Sequence, residues 1–239
     1  NKVAQLIYGK NVVKQLLSNP KKVHEVYLAG NDSEIEDLCR KGNIRVKKTD
    51  RKALTKMVKS DNHQGVVASI DEYKTYSVDD IVNDKKNKYG FIIMLDELED
   101  PHNLGAILRT ADAVNCDGVI FKKDRSVSLT PTVAKVSTGA IDTVKCAAVT
   151  NLVRTAEDLQ KKGYWLVAAD MDGQDYRSLK YDFNTVLVIG NEGKGISRLL
   201  REKCDYVVSL PMKGQIESLN ASVSAGILMY EINSKRFPL

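Results

Sequence analysis

Histidine, cysteine and long apolar runs are all scarce in this chain. Three histidines (His24, His63, His102) and four scattered cysteines (Cys39, Cys116, Cys146, Cys204), with no CxxC pair, argue against a metal site. No apolar run approaches the ~18 residues that a membrane-spanning helix needs. No basic-then-apolar signal segment opens the sequence, and no internal repeat or low-complexity tract interrupts it. The expectation is a reduced, cytoplasmic setting with no membrane partner. Two phosphate-binding signatures are also missing. GxxxxGK[ST] cannot be laid on the stretch GNEGKGIS, and the glycines Gly190, Gly193 and Gly195 follow a late strand, whereas GxGxxG belongs after the first strand of a dinucleotide unit.

What is present is apolar content for one large domain or two modest ones, 43% of 239 residues. Charge separates two regions. Residues 1–88 hold 18 Lys+Arg against 12 Asp+Glu, a net of +6; residues 89–239 hold 18 against 19, a net of −1. A solvated surface would account for this. So would a basic module that recruits a polyanion for a neutral module with another task. The first region reads as a small α/β domain: a helix near residues 11–17, a strand VHEVYLA, a helix capped by Asp32/Ser33 and ended at Gly42, then strands IRVKK and GVVASI. We place it at residues 1–72, a polar linker at 73–88 and a second domain at 89–239.

In the second domain FIIMLDEL, GVIFKK, TVKCAAV, YWLVAAD, TVLVIGN and YVVSLP alternate with helical stretches. Strands this apolar predict a parallel sheet covered on both faces. Ligands of such sheets bind at the carboxyl ends of the strands, which directs attention to residues 97–105, 190–196 and 211–220. In the first loop Asn103 reads either as a helix cap or as a site residue. Arg109, six residues on and roughly 9 Å along the axis, leans back toward the strand ends. In the second, Glu192 sits where a phosphate would be repelled, so a neutral or cationic ligand suits it. In the third, Ser218 or Asn220 opens a helix whose small residues, Ala221 to Gly226, permit close backbone approach.

Taken in order, NLGAILRTAD, VLVIGNEGKGIS and VSLPMKGQIESLNASVSAGI resemble the three motifs of the SpoU branch of the SPOUT methyltransferases. IYGKNVVKQLL and HQGVVASI resemble the ribosomal-protein-like RNA-binding domain that precedes the catalytic domain in rRNA 2′-O-methyltransferases, above all those acting on a guanosine of 23S rRNA. The resemblance implies an α/β catalytic domain with a C-terminal trefoil knot and a homodimer. It implies S-adenosylmethionine as cofactor and RNA (23S rRNA or a ribosome precursor, not DNA) as partner. Gly190, Leu210 and Leu219 fall on cofactor positions; Asn103, Arg109, Glu192, Ser218 and Asn220 fall on catalytic ones. A tRNA 2′-O-methyltransferase and a non-catalytic RNA-binding protein of the same fold are the alternatives. One local departure is Glu217, where the motif leads one to expect a small residue.

Overall fold

The computed structural model describes residues 4–239, and contacts divide the chain after Tyr73. The first unit runs β1 (Ala4–Tyr8), α1 (Lys10–Leu17), β2 (Val23–Ala29), α2 (Ser33–Lys41), β3 (Arg45–Thr49), α3 (Arg51–Val58) and β4 (Val66–Asp71). Its sheet has the order β1-β4-β2-β3, with β2 and β3 parallel and the other pairs antiparallel. Helix α2 forms where its cap and its period agree: the Asp32 carboxylate accepts the Ile35 N–H, and Ile35 and Cys39 are buried one turn apart. Strand β1 and helix α3 are not among the expected elements. Helix α3 buries a single residue, Leu54, so no apolar period announces it. Strand β3 lies at the sheet edge and exposes Arg45, Lys47 and Lys48.

The second unit begins with a correction to the expected linker. Within residues 73–88 lies α4 (Val78–Asn83), closed by a capping box between Ser77 and Asp80. Its Ile81 is fully buried and fills the space that a side chain at position 118 would need; an ideal Cβ on Gly118 would come within 2.6 Å of it. Val78, Ile81 and Val82 have the spacing of one helix face, hidden among charges.

Then follow β5 (Phe91–Leu95), α5 (Pro101–Ala113), β6 (Gly118–Lys122), α6 (Pro131–Val136), α7 (Ala140–Thr143), β7 (Cys146–Val149), α8 (Leu152–Lys161), β8 (Tyr164–Asp175), β9 (Asn184–Ile189), α9 (Arg198–Lys203), β10 (Tyr206–Ser209) and α10 (Ala221–Arg236). All six strands are parallel, in the order β10-β8-β9-β5-β6-β7. One face packs Ile92, Met94, Leu166 and Val188 against α4, α8 and α9. On the other, α5 meets α6, α7 and α10. The single helix expected over TPTVAKVSTGAI is broken into α6 and α7 at Thr138 and Gly139, both at positive φ. The end of α10 is fastened by Arg236. Its guanidinium donates to the carbonyls of Tyr89, Gly90, Tyr181 and Phe183 and to the Thr185 hydroxyl. No helix among the described residues is long and apolar enough to cross a membrane.

Candidate active site

Strand β8 does not run straight. Val207 of β10 pairs with Ala168 and Val208 with Gln174, so residues 169–173 bulge out of the pairing with β10, while Ala169 stays paired with Ile189 of β9. Gly173 closes this excursion; a Cβ there would meet the Val207 carbonyl oxygen at 2.6 Å. Arg201 anchors it from α9, its guanidinium 3.4 Å from the Asp170 carboxylate and donating to the Met171 carbonyl. The excursion, the loop after β9 and the segment after β10 enclose a cleft of about 600 Å³. That volume is in the range of sites for ligands the size of a nucleoside conjugate.

The loop after β9 is tightly constrained. Asn191 and Gly195 exchange backbone hydrogen bonds, and Gly195 adopts φ 68°. Gly190 is compelled by backbone alone: a Cβ there would lie 2.4 Å from the carbonyl carbon of Gly195. The Asn191 side chain accepts from the N–H groups of Gly193 (2.9 Å) and Lys194 (3.4 Å) and donates to the Glu97 carbonyl. The loop thus engages the N–H groups of Asn191, Gly193, Lys194 and Gly195 internally. They are not offered to a phosphate, the ligand for which glycine-rich strand–helix turns usually serve.

Glu192 draws three loops together. Its Oε1 accepts from Asn103 Nδ2 at 2.7 Å, from Asn220 Nδ2 at 2.8 Å and from the Ala221 N–H at 3.2 Å. Asn220 Nδ2 also donates to Asn103 Oδ1 at 3.1 Å. The carboxylate therefore stands at the N-terminus of α10, where the helix dipole favours a negative charge. Asn103 is not the cap of α5. Asp100 holds that role by accepting the His102 N–H, which leaves Asn103 in the first turn, buried and aimed at Glu192. Asn220 serves twice: its Oδ1 caps α10 through the Ser222 and Val223 N–H groups, while its Nδ2 reaches the carboxylate. Glu192 Oε2 makes no hydrogen bond among the described residues.

A sequence profile of the SpoU rRNA methylase family matches residues 90–230, the span that contains all of these groups. The chain belongs to this family. Residues 6–76 match the profile described as RNA 2′-O ribose methyltransferase substrate binding. A relative from Bacillus subtilis, YacO, whose name places it in the TrmH family of tRNA/rRNA methyltransferases, is 45% identical, covering 98% of this chain and 96% of its own. Among solved structures, the SpoU methyltransferase AviRb from Streptomyces viridochromogenes, in complex with AdoMet, superposes with a TM-score of 0.65 at 24% identity, over 98% of this chain and 90% of that one. The Aquifex aeolicus TrmH/SpoU tRNA modifying enzyme reaches 0.56 at 29% identity, over 65% of this chain and 79% of that one.

Within the SpoU unit, Gly190, Leu210 and Leu219 line the cleft, as do Glu192 and Ser218. Asn103 and Asn220 join through Glu192. Ser218 is exposed and makes no hydrogen bond among the described residues. Arg109 stands on the exposed side of α5, outside the cleft lining, with no hydrogen bond or ion pair among the described residues. Sequence reasoning missed the β8 wall, Ala169, Asp170, Met171 and Asp172. The strand-end rule that located the other loops applies there equally. Buried Asp96, whose Oδ2 accepts the Ser197 N–H at 2.7 Å and so holds the end of the β9 loop, was missed too.

Proposed function

We propose that this protein transfers a methyl group from S-adenosylmethionine to a ribose 2′-hydroxyl of RNA, at a guanosine of 23S rRNA, in the cytoplasm. The observation that carries the reading is the gathering of Asn103 and Asn220 on Glu192 beside a cleft lined by Gly190, Leu210 and Leu219. The residues present fit the cofactor: the cleft has room for it, carries more carboxylates than cations, and offers no phosphate cradle. When bound, the cofactor supplies an electrophilic methyl on a cationic sulfur.

The chain's own groups then divide the work. Asn103 and Asn220 hold Glu192 Oε1, so that Oε2 takes the hydroxyl proton as the ribose oxygen bonds to the methyl carbon and the carbon–sulfur electron pair stays on sulfur. Arg109, a permanent cation without a partner among the described residues, binds the adjacent phosphate and offsets charge developing on the ribose oxygen. Ser218, on the cleft wall, orients the ribose. Alignment of the reacting atoms supplies most of the rate. The first unit, residues 1–72 in the domain scheme above, supplies RNA affinity; its basic β3 edge and its excess of lysine and arginine support this.

The last segment is read as threaded in a trefoil knot, which the contact of Asn220 and Ala221 with the β9 loop supports. The protein acts as a homodimer through α10. There Val223, Ile227 and Tyr230 form an apolar stripe at 50%, 38% and 54% exposure, while Leu228 and Met229 pack inward.

Incubation with methyl-labelled S-adenosylmethionine and total bacterial RNA tests the reading. The expected product is a guanosine of 23S rRNA whose ribose resists alkaline cleavage. Label confined to tRNA would move the substrate to that class. Label on a base would overturn 2′-O transfer, and cofactor binding without transfer to any RNA would favour a binding protein of this fold.

A further inference from the structure

Glu217 stands on the wall of the cleft, beside Ser218 and Leu219. Four carboxylates line that cleft, Asp170, Asp172, Glu192 and Glu217, against one cation, Lys194. Two of the four are engaged. Asp170 faces Arg201 and accepts the Met171 N–H, and Glu192 holds the two asparagines. Asp172 and Glu217 have no hydrogen bond or ion pair among the described residues. Asp172 sits in the β8 excursion at φ 62°. Glu217 is the one with a long side chain, and it directly precedes the residues assigned to ribose and cofactor.

Methyl transfer changes the charge of what occupies the cleft. The cofactor enters with a cationic sulfur, and the demethylated product leaves with a neutral thioether. An unpaired carboxylate on the wall interacts with the first and gains nothing from the sulfur of the second. We infer that Glu217 is a specificity residue that makes the cleft prefer the cationic cofactor over its neutral product. The inference rests on the methyltransferase reading above and adds to it an electrostatic reason for product to leave. Because Glu217 is exposed, the preference has the size of an exposed ion pair, about two- to fivefold in affinity, and it weakens as salt is raised.

Calorimetric titration of the full chain tests this with three ligands: S-adenosylmethionine, S-adenosylhomocysteine, and an analogue bearing a protonated amine in place of the sulfonium. For Glu217→Gln, affinity for the two cationic ligands should fall about two- to fivefold, with S-adenosylhomocysteine unchanged. Glu217→Asp should keep part of the preference, and 0.5 M salt should narrow the difference in the native protein. Equal weakening of all three ligands would assign Glu217 to the amino group they share and overturn the inference. So would no change at all. An equal shift from Asp172→Asn would assign the preference to the overall charge of the cleft and not to this residue. Failure of the native protein to bind any of the three would sink the methyltransferase reading itself, a result distinguishable from all of these.

Discussion

A single carboxylate oxygen that accepts three hydrogen bonds can be tested apart from the charge it carries. Glutamine at position 192 keeps an acceptor for Asn103, Asn220 and the Ala221 N–H but cannot take a proton. Glu192→Gln should therefore fold and bind cofactor normally while single-turnover methyl transfer falls about a hundredfold, the scale of a lost general base. Glu192→Ala strands the donors of Asn103 and Asn220 and should lower stability as well, by about 2 kcal/mol, readable in urea denaturation. Arg109 presents the complementary case. With no partner among the described residues to lose, Arg109→Ala should leave thermal stability unchanged and cut transfer about a hundredfold. Arg109→Lys should retain part of the rate, because a charge remains without the bidentate fork. If Arg109→Lys activity instead rises with pH up to roughly 10, the ordinary lysine value, while Glu192→Gln stays active, the roles are reversed.

Glycine matters at the level of elements, and unequally. The loop after β9 folds back until Gly195 touches Gly190, so Gly190→Ala forces backbone against backbone. The expected result is a loss of about 3 kcal/mol together with loss of cofactor binding. Gly214, in the loop after β10, has nothing within 4 Å of where its Cβ would sit. Gly214→Ala should match the native protein in both melting temperature and cofactor affinity. Comparable damage from the two substitutions would contradict this account of the β9 loop. The same contrast shows what periodicity can and cannot disclose. Helix α2 was legible because cap, period and terminal glycine coincide between Asp32 and Gly42. Helix α4 was not, because three apolar residues among charges look like a solvated linker until Gly118 is seen to make room for Ile81.

Across the whole molecule, the chain divides after Tyr73 and its basic excess falls on the first side. A protein beginning at Lys74 should keep cofactor affinity near that of the full chain while RNA affinity drops steeply and loses most of its salt dependence. Equal RNA binding by both would place the RNA surface on the second unit. Light scattering checks the assembly: a dimer for the native protein, and a monomer with little activity for Ile227→Glu, whose site is an exposed position on α10.

Alkaline pH should reveal the core. Burial pushes the thiols of Cys116, Cys146 and Cys204 up to about 12 and the Tyr164 phenol to about 12. In the unfolded chain a thiol titrates near ~8.5, so the unfolded state surrenders its protons first. The stability these groups contribute is complete below ~8.5 and lost as pH rises toward their folded values. Melting temperature should be flat from about pH 7 to 8 and decline above about 9, with thiol reagents inert toward the buried Cys39, Cys116 and Cys146 until the protein unfolds.

Strand type, sheet class and the three site loops were legible in the chain itself. A parallel sheet buried on both faces demands unbroken runs such as TVLVIG, and ligands gather at the carboxyl ends of such strands. The family motifs follow from single residues whose spacing survives without coordinates: Asn103, Gly190, Glu192, Asn220. Only the tertiary structure decided that Asp100, and not Asn103, caps α5, that Glu192 answers to the N-terminus of α10, and that β8 bulges away from β10 at residues 169–173 to build the remaining wall. The reason is physical. Local pattern records which side chains a helix or strand can bury. It carries no record of which loops, far apart in sequence, bring their polar atoms to one carboxylate oxygen, because that meeting is set by the order of strands in the sheet.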